Sequence, residues 1–192
     1  MMFAEMARRP FDWTRLHIFW VDERAVPPGD EQSNYRLARE HLLEPAGVPA
    51  ANVHRIETEL PPFEAAKRYQ AVIREFFALS EGELPRFDMI HRGIGADAHT
   101  ASLFPGEPLI HDEAGIAAAV YVEKFKQFRV TLLPGVLRAA RQTAMLVCGA
   151  DKAAPMAAIT GPTRDPLRWP AQVVTGTGAP ERWFIDEAAA GL

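Results

Sequence analysis

Apolar residues along the chain fall into short unbroken runs that alternate with stretches where they recur every three or four positions. Leu16-His-Ile-Phe-Trp-Val21 is rich in aromatic and branched residues and predicts a buried strand, with the charges of Asp22-Glu23-Arg24 emerging at its carboxyl end. Pro27, Pro28 and Gly29 make the next stretch a loop. Ser33 or Asn34 then caps a helix whose apolar positions Tyr35, Ala38 and Leu42 follow helical spacing, and Pro45 and Gly47 end it. Val53-His-Arg-Ile56 reads as a short edge strand. Pro61-Pro62 opens a second helix with Ala66, Tyr69, Ile73, Phe76 and Phe77 on one face, closed by Gly82 and Pro85.

The alternation continues to the end of the chain. An apolar run beginning at Phe87 passes two glycines and then sets Asp97, His99, Thr100 and Ser102 close together. Ile116-Ala-Ala-Ala-Val-Tyr-Val122 reads as a strand, although its alanines leave a helix open. Arg129-Val-Thr-Leu-Leu133 leads into Pro134, a natural first-turn residue for a helix over 135–141. Ala144-Met-Leu-Val-Cys148 is a further buried strand, followed by Gly149-Ala-Asp-Lys-Ala153 and a helix to about Ile159. Residues 161–170 are loop, Gln172–Val174 and Trp183–Ile185 read as weaker strands, and Asp186 caps a last short helix. Strands alternating with helices predict an α/β fold with a mostly parallel sheet covered on both faces. No repeat or linker divides the chain, so residues 1–192 are expected to form one domain.

Composition narrows the function classes. A net charge of -4 argues against a nucleic-acid partner, while leaving room for basic residues converging on one small anion. Cys148 is the lone cysteine, which excludes a disulfide framework and fits a reducing compartment. No apolar run approaches the ~20 residues that span a bilayer, and the first ten residues do not read as a signal peptide. A cytoplasmic location with no membrane partner is the expectation, for a monomer or weak homodimer.

Candidate chemistry centres on His99. An imidazole titrates near neutral pH, can take a proton from water and can return it to a leaving oxygen. Asp97 stands two residues earlier, where it can orient the ring if the turn folds back. Local pattern alone leaves two roles open for His99, general base or a histidine that merely bonds its own turn. Gly93-Ile-Gly-Ala-Asp-Ala98 also fits a loose G-x-G-x-x-A dinucleotide loop. That reading needs a long helix next and an acidic residue at the end of the following strand, whereas Pro105-Gly106 cuts any helix short and Asp112-Glu113 read as a turn, which leaves it the minor alternative. Arg24 is a second candidate, since a planar guanidinium suits a phosphate or carboxylate, though the three charges of its triplet can also pair among themselves in solvent. Lys152, at a helix start after a strand, is a third candidate anion contact by position, with an ordinary exposed first-turn lysine as the other reading. Lys126 and Arg129 lie in a basic cluster over 124–129 that otherwise reads as a solvated face. The remaining histidines lack metal-ligand spacing, and there is neither a Gly-x-Ser-x-Gly elbow nor a P-loop. No metal is expected.

The order of these pieces carries more than any one of them. Trp20-Val-Asp-Glu-Arg24, Ser33-Asn34-Tyr35, Gly93-Ile-Gly-Ala-Asp-Ala-His-Thr-Ala-Ser-Leu-Phe-Pro-Gly106, Arg129-Val-Thr-Leu132 and Gly149-Ala-Asp-Lys-Ala153 together resemble the 6-phosphogluconolactonase family, from about Trp13 onward. The resemblance implies a Rossmann-like α/β fold shared with glucosamine-6-phosphate isomerases. It implies hydrolysis of 6-phosphoglucono-δ-lactone without a cofactor, with His99 as general acid/base and Asp97 supporting it. Arg24 and Lys152 would bind the phosphate or neighbouring sugar oxygens, and Asp22 and Arg129 would line the cleft.

Two departures qualify the match. The family's first strand and its Gly-Gly-Ser-Thr-Pro-like phosphate loop have no counterpart, so the fold is expected to be N-terminally truncated, through a misplaced start or as a natural remnant. Ala98 stands where the family has Gly, at an expected cost of about 1 kcal/mol if the turn requires positive φ. His91-Arg92 also replace residues that are usually apolar. The readings that compete with lactonase are an amino-sugar-phosphate isomerase or deaminase, which would follow the motif histidine with Ile-Ala-Phe-Asn-Glu, and a non-catalytic remnant that binds a sugar phosphate.

Overall fold

The structure is a computed structural model and describes residues 2–176 and 180–192. Its elements follow in order: α1 (Met2–Ala7), β1 (Ile18–Phe19), β2 (Asp22–Arg24), α2 (Asn34–Ala38), a π-helical turn (Arg39–Leu43), α3 (Glu44–Ala46), β3 (Val53–His54), α4 (Pro62–Phe76), β4 (Ile90–Arg92), β5 (Ala117–Val122), β6 (Gln127–Leu132), α5 (Pro134–Ala139), β7 (Thr143–Val147), α6 (Ala153–Thr160), β8 (Glu181–Ile185) and α7 (Glu187–Ala190). The α/β class holds. Parallel ladders join β1 to β3 and run through β4, β7 and β8 in that order. The third sheet, β2-β6-β5, is antiparallel, with β5 and β6 forming a hairpin.

Two sequence expectations change. Asp22-Glu23-Arg24 is itself a strand, paired with Thr131, Val130 and Arg129 of β6, rather than a charged strand end in solvent. Side chains alternate across a strand, so Glu23 turns inward while Asp22 and Arg24 face the other way. The buried Glu23 carboxylate caps α2. It accepts from the backbone N–H groups of Asn34 (2.7 Å) and Tyr35 (2.6 Å) and from the Ser33 hydroxyl, while Ser33 Oγ accepts from Arg36 N. Residues expected as a strand around Gln172 form a short 3-10 turn instead, Pro170–Val173. The buried Gln172 side chain explains it: its amide donates to the carbonyls of Ala158 and Thr163, and its oxygen accepts from Asp165 N, which leaves no strand geometry open.

The larger core packs α4, through Ala65, Ala66, Tyr69 and Ile73, against Val130 and Leu132 of β6 and Ala117 of β5. Each fully buried aliphatic side chain there contributes about 1.5–3 kcal/mol. Tyr69 ties the helix to the end of β1, its hydroxyl donating to Trp20 O and accepting from Trp20 N, both at 2.8 Å. A second core gathers Met145 and Val147 of β7 with Met156 and Ile159 of α6, Ala189 of α7, and Ile94 and Ala98 of the segment after β4. Ile94 of that core also lines the cleft described below.

Helix α4 also offers a clean test of backbone strain. It ends with Leu79 N donating to Arg74 O at 3.0 Å, and the exposed Ala78 between them has φ +51°. This is the left-handed position that helix ends usually give to glycine. Ala78→Gly is expected to stabilise the protein by about 1 kcal/mol, raising the melting temperature by roughly 2–4 °C. A thermal melt showing no gain would contradict the strain argument.

Candidate active site

Strand β4 delivers the chain to Gly93, and residues 95–99 then close on themselves. Gly95 N donates to His99 O at 2.8 Å, and Ala98 N to Gly95 O at 3.0 Å. Ala98 does adopt positive φ, +62°, and its methyl is buried in the second core. The strain expected from the sequence is therefore present, offset in part by the burial of that methyl. Gly95 is required for a different reason: a Cβ there would fall 2.0 Å from His99 Nδ1.

The turn brings the His99 Nδ1 to 2.5 Å from Asp97 Oδ1, and Lys124 Nζ lies 2.8 Å from the other carboxylate oxygen. Burial pushes the Asp97 carboxyl up, but the Lys124 ammonium and then the His99 ring outweigh it, so it stays well below the usual carboxylate range. For His99 burial is the largest influence and depresses the imidazole pKa, with Asp97 opposing it. At neutral pH the pair is thus carboxylate and neutral imidazole. Nδ1 carries the proton that bonds to Asp97, and Nε2 is left as the basic nitrogen.

The His99 ring stacks on Phe104 with centroids 4.1 Å apart, and the Arg129 guanidinium lies over the same ring at 5.5 Å and over Phe125 at 4.9 Å. Base and cation therefore share one aromatic shelf. Asp22 Oδ2 accepts from the Ser102 hydroxyl at 2.6 Å and lies 3.8 Å from Arg129. Arg24 and Arg129 are register partners on neighbouring strands, so two guanidinium-bearing residues sit directly opposite each other. Like charges so placed destabilise a ladder unless an anion lies against them. Burial lowers the pKa of Arg129, an effect Asp22 opposes and Arg24 adds to, and each of the two arginines has a buried Nε without a partner.

These groups open on one cleft of about 270 Å³, lined by Asp22, Arg24, Asn34, Arg92, His99 and Arg129 among others. Its size suits one sugar-sized molecule. Of the site residues read from sequence, His99, Asp22, Arg24 and Arg129 come together here, and Asp97 stands directly behind His99. Lys152 does not join them. It lies in the turn after β7, paired with Asp151 at 2.6 Å, outside the cleft wall. Sequence reasoning missed Lys124 and Phe104. The basic run 124–129 looked like a solvated face, and only the β5-β6 hairpin reveals that its tip reaches Asp97. Among the described residues no group of three or more His, Cys, Asp or Glu side chains is gathered to hold a metal ion.

The strand-end loop, the neutral histidine held by a carboxylate and the facing arginines define the class: an α/β protein with a candidate base opening on an arginine-lined cleft. The chain belongs to the family of glucosamine-6-phosphate isomerases and 6-phosphogluconolactonases, whose profile matches residues 1–183. It is 34% identical over 189 residues to a 6-phosphogluconolactonase of Synechocystis sp., covering 98% of this chain and 78% of the relative. To the 6-phosphogluconolactonase of Homo sapiens it is 38% identical over 186 residues, covering 95% and 70%. Among solved structures, the devB protein superposes with a TM-score of 0.90 at 36% identity, covering 99% of this chain and 81% of that one. The 6-phosphogluconolactonase of Trypanosoma brucei gives 0.83 at 28% identity, covering 98% and 80%.

Proposed function

We propose that this chain hydrolyses 6-phospho-D-glucono-1,5-lactone to 6-phospho-D-gluconate, the lactone-opening step of the oxidative pentose phosphate pathway. The observation that carries the proposal is the pairing of a neutral, Asp97-held His99 with two facing arginines on one sugar-sized cleft. Nε2 of His99 takes a proton from water as the water oxygen attacks the lactone carbonyl carbon. Arg129, on the same aromatic shelf, faces the oxyanion that develops on the carbonyl oxygen. The tetrahedral intermediate collapses by breaking the bond from that carbon to the ring oxygen, and the proton on Nε2 passes to the departing oxygen. The acid so formed ionises, giving the gluconate. Arg24 holds the phosphate, and Lys124 keeps Asp97 ionised through the cycle.

We place this enzyme in the cytoplasm as a single domain; no helix of the described residues is long and apolar enough to cross a membrane. The decisive assay follows phosphogluconate formed from freshly generated lactone against a buffer blank, because the lactone also opens spontaneously. A wild-type rate equal to the blank overturns the proposal. Arg24→Gln is expected to raise KM about 10- to 100-fold with a smaller change in kcat, since a charge-assisted contact to phosphate is worth ~1.5–3 kcal/mol. An unchanged KM would place the phosphate elsewhere in the cleft.

A further inference from the structure

We propose that Arg92 is a positioning residue that locks the loop carrying His99 to the segment 170–174. The kinetic half of its test rests on the lactonase reading above; the structural half does not.

Arg92 ends β4, and its side chain is 1% exposed. It falls in register with Met145 of β7, which in turn pairs with Trp183 of β8, so a guanidinium occupies a row that is otherwise apolar. Burial lowers its pKa to about 10, opposed by Glu181, and it remains a cation at neutral pH. Its Nε is buried with no partner. A charge so placed is expensive, and nothing in the row itself requires one.

Its two terminal nitrogens show what it does there. One donates to Val174 O at 2.5 Å and the other to Thr100 Oγ1 at 3.5 Å, while Glu181 Oε1 stands 3.8 Å away. Glu181 in turn accepts from Gly176 N and from Trp183 Nε1, each at 3.1 Å. Ala171 N, in the same 170–174 segment, donates to Ala98 O at 2.9 Å. The residues on either side of His99 are therefore both tied to one segment, Ala98 directly and Thr100 through Arg92. Thr100 Oγ1 also donates to Gly93 O at 2.9 Å, which passes the restraint to the start of the loop. Arg92 reaches the cleft wall, but its terminal nitrogens already have protein partners, which favours a positioning role over substrate contact.

The test compares the wild type with Arg92→Leu, which suits the apolar row and removes the orphan Nε, and with Arg92→Lys, which can keep one donor to Val174 O. In imidazole-labelled protein, NMR reads the His99 Nδ1–H that bonds to Asp97; lactone hydrolysis supplies kcat and KM. Arg92→Leu is expected to broaden or shift that proton resonance and to lower kcat about 10- to 100-fold with KM within roughly twofold. Arg92→Lys should restore part of both. Thr100→Val, which removes the acceptor while keeping the side-chain shape, should reproduce the resonance change even if Arg92→Leu does not fold. An unmoved resonance in a folded Arg92→Leu overturns the proposal, as does an unmoved resonance in Thr100→Val where Arg92→Leu does not fold, and as does a raised KM with kcat intact, which would make Arg92 a substrate contact. A wild type without lactonase activity would sink the functional reading alone, and the resonance would still decide the role of Arg92.

Discussion

Replacing His99 with alanine is expected to lower kcat by about 10²- to 10⁴-fold, the range a positioned general base supplies, so that the measured rate merges with the buffer blank. Folding should survive, because His99 belongs to a loop whose backbone bonds, from Gly95 N and to Gly95 O, do not involve the ring. The pH profile gives a second reading of the same residue. Burial depresses the His99 imidazole below its ordinary value near 6.5, with Asp97 only partly opposing it. The base form is the unprotonated one, so activity should be full at neutral pH and above. It should fall only as pH drops through a pKa lower than 6.5. A profile that instead rose as pH fell through that range would mean that a protonated group is needed, and would count against His99 as the base. Measurement at or below neutral pH also keeps spontaneous lactone opening small.

The sequence spelled out the units of this fold better than their joining. Ser33 as a helix cap, the apolar face of α4 and the cap at Asp186 were all legible, because capping chemistry and helical periodicity act over a few residues. Asp22-Glu23-Arg24 was misread because a charged triplet does not look like a strand. Only the partner β6 makes it one, and only that pairing sets Arg24 against Arg129. Gln172 was misread for a similar reason: a strand-like Gln-Val-Val run is overridden by hydrogen bonds to Ala158 and Thr163, which local propensity cannot anticipate. In the site, His99 and Asp97 lie two residues apart and could be read together. Lys124 is 27 residues from Asp97, and the contact exists only because the β5-β6 hairpin folds back. Arg92 looked merely out of place in the sequence, and its two tethers became visible only with Val174 brought beside β4.

Gly95→Ala is expected to approach the effect of removing His99 without touching a functional group. A Cβ at this position would lie 2.0 Å from His99 Nδ1, 2.1 Å from Cε1 and 2.7 Å from Asp97 Oδ1, well inside contact distance. Gly95 is not among the positive-φ glycines, so alanine brings no backbone strain of that kind; the conflict is with the His99 ring itself. The ring is the movable partner, and swinging it away breaks the bond to Asp97 and the stacking on Phe104 together. Kcat should fall about 100-fold, as misplacement of a catalytic group by an ångström can cost, while the melting temperature changes by no more than a few degrees. The double variant Gly95→Ala with His99→Ala should be no slower than His99→Ala alone, because both changes remove the same interaction. A Gly95→Ala protein that keeps most of its activity would show that the ring works from a different position. A double variant clearly slower than His99→Ala would show that Gly95 serves the reaction by some route other than room for the ring.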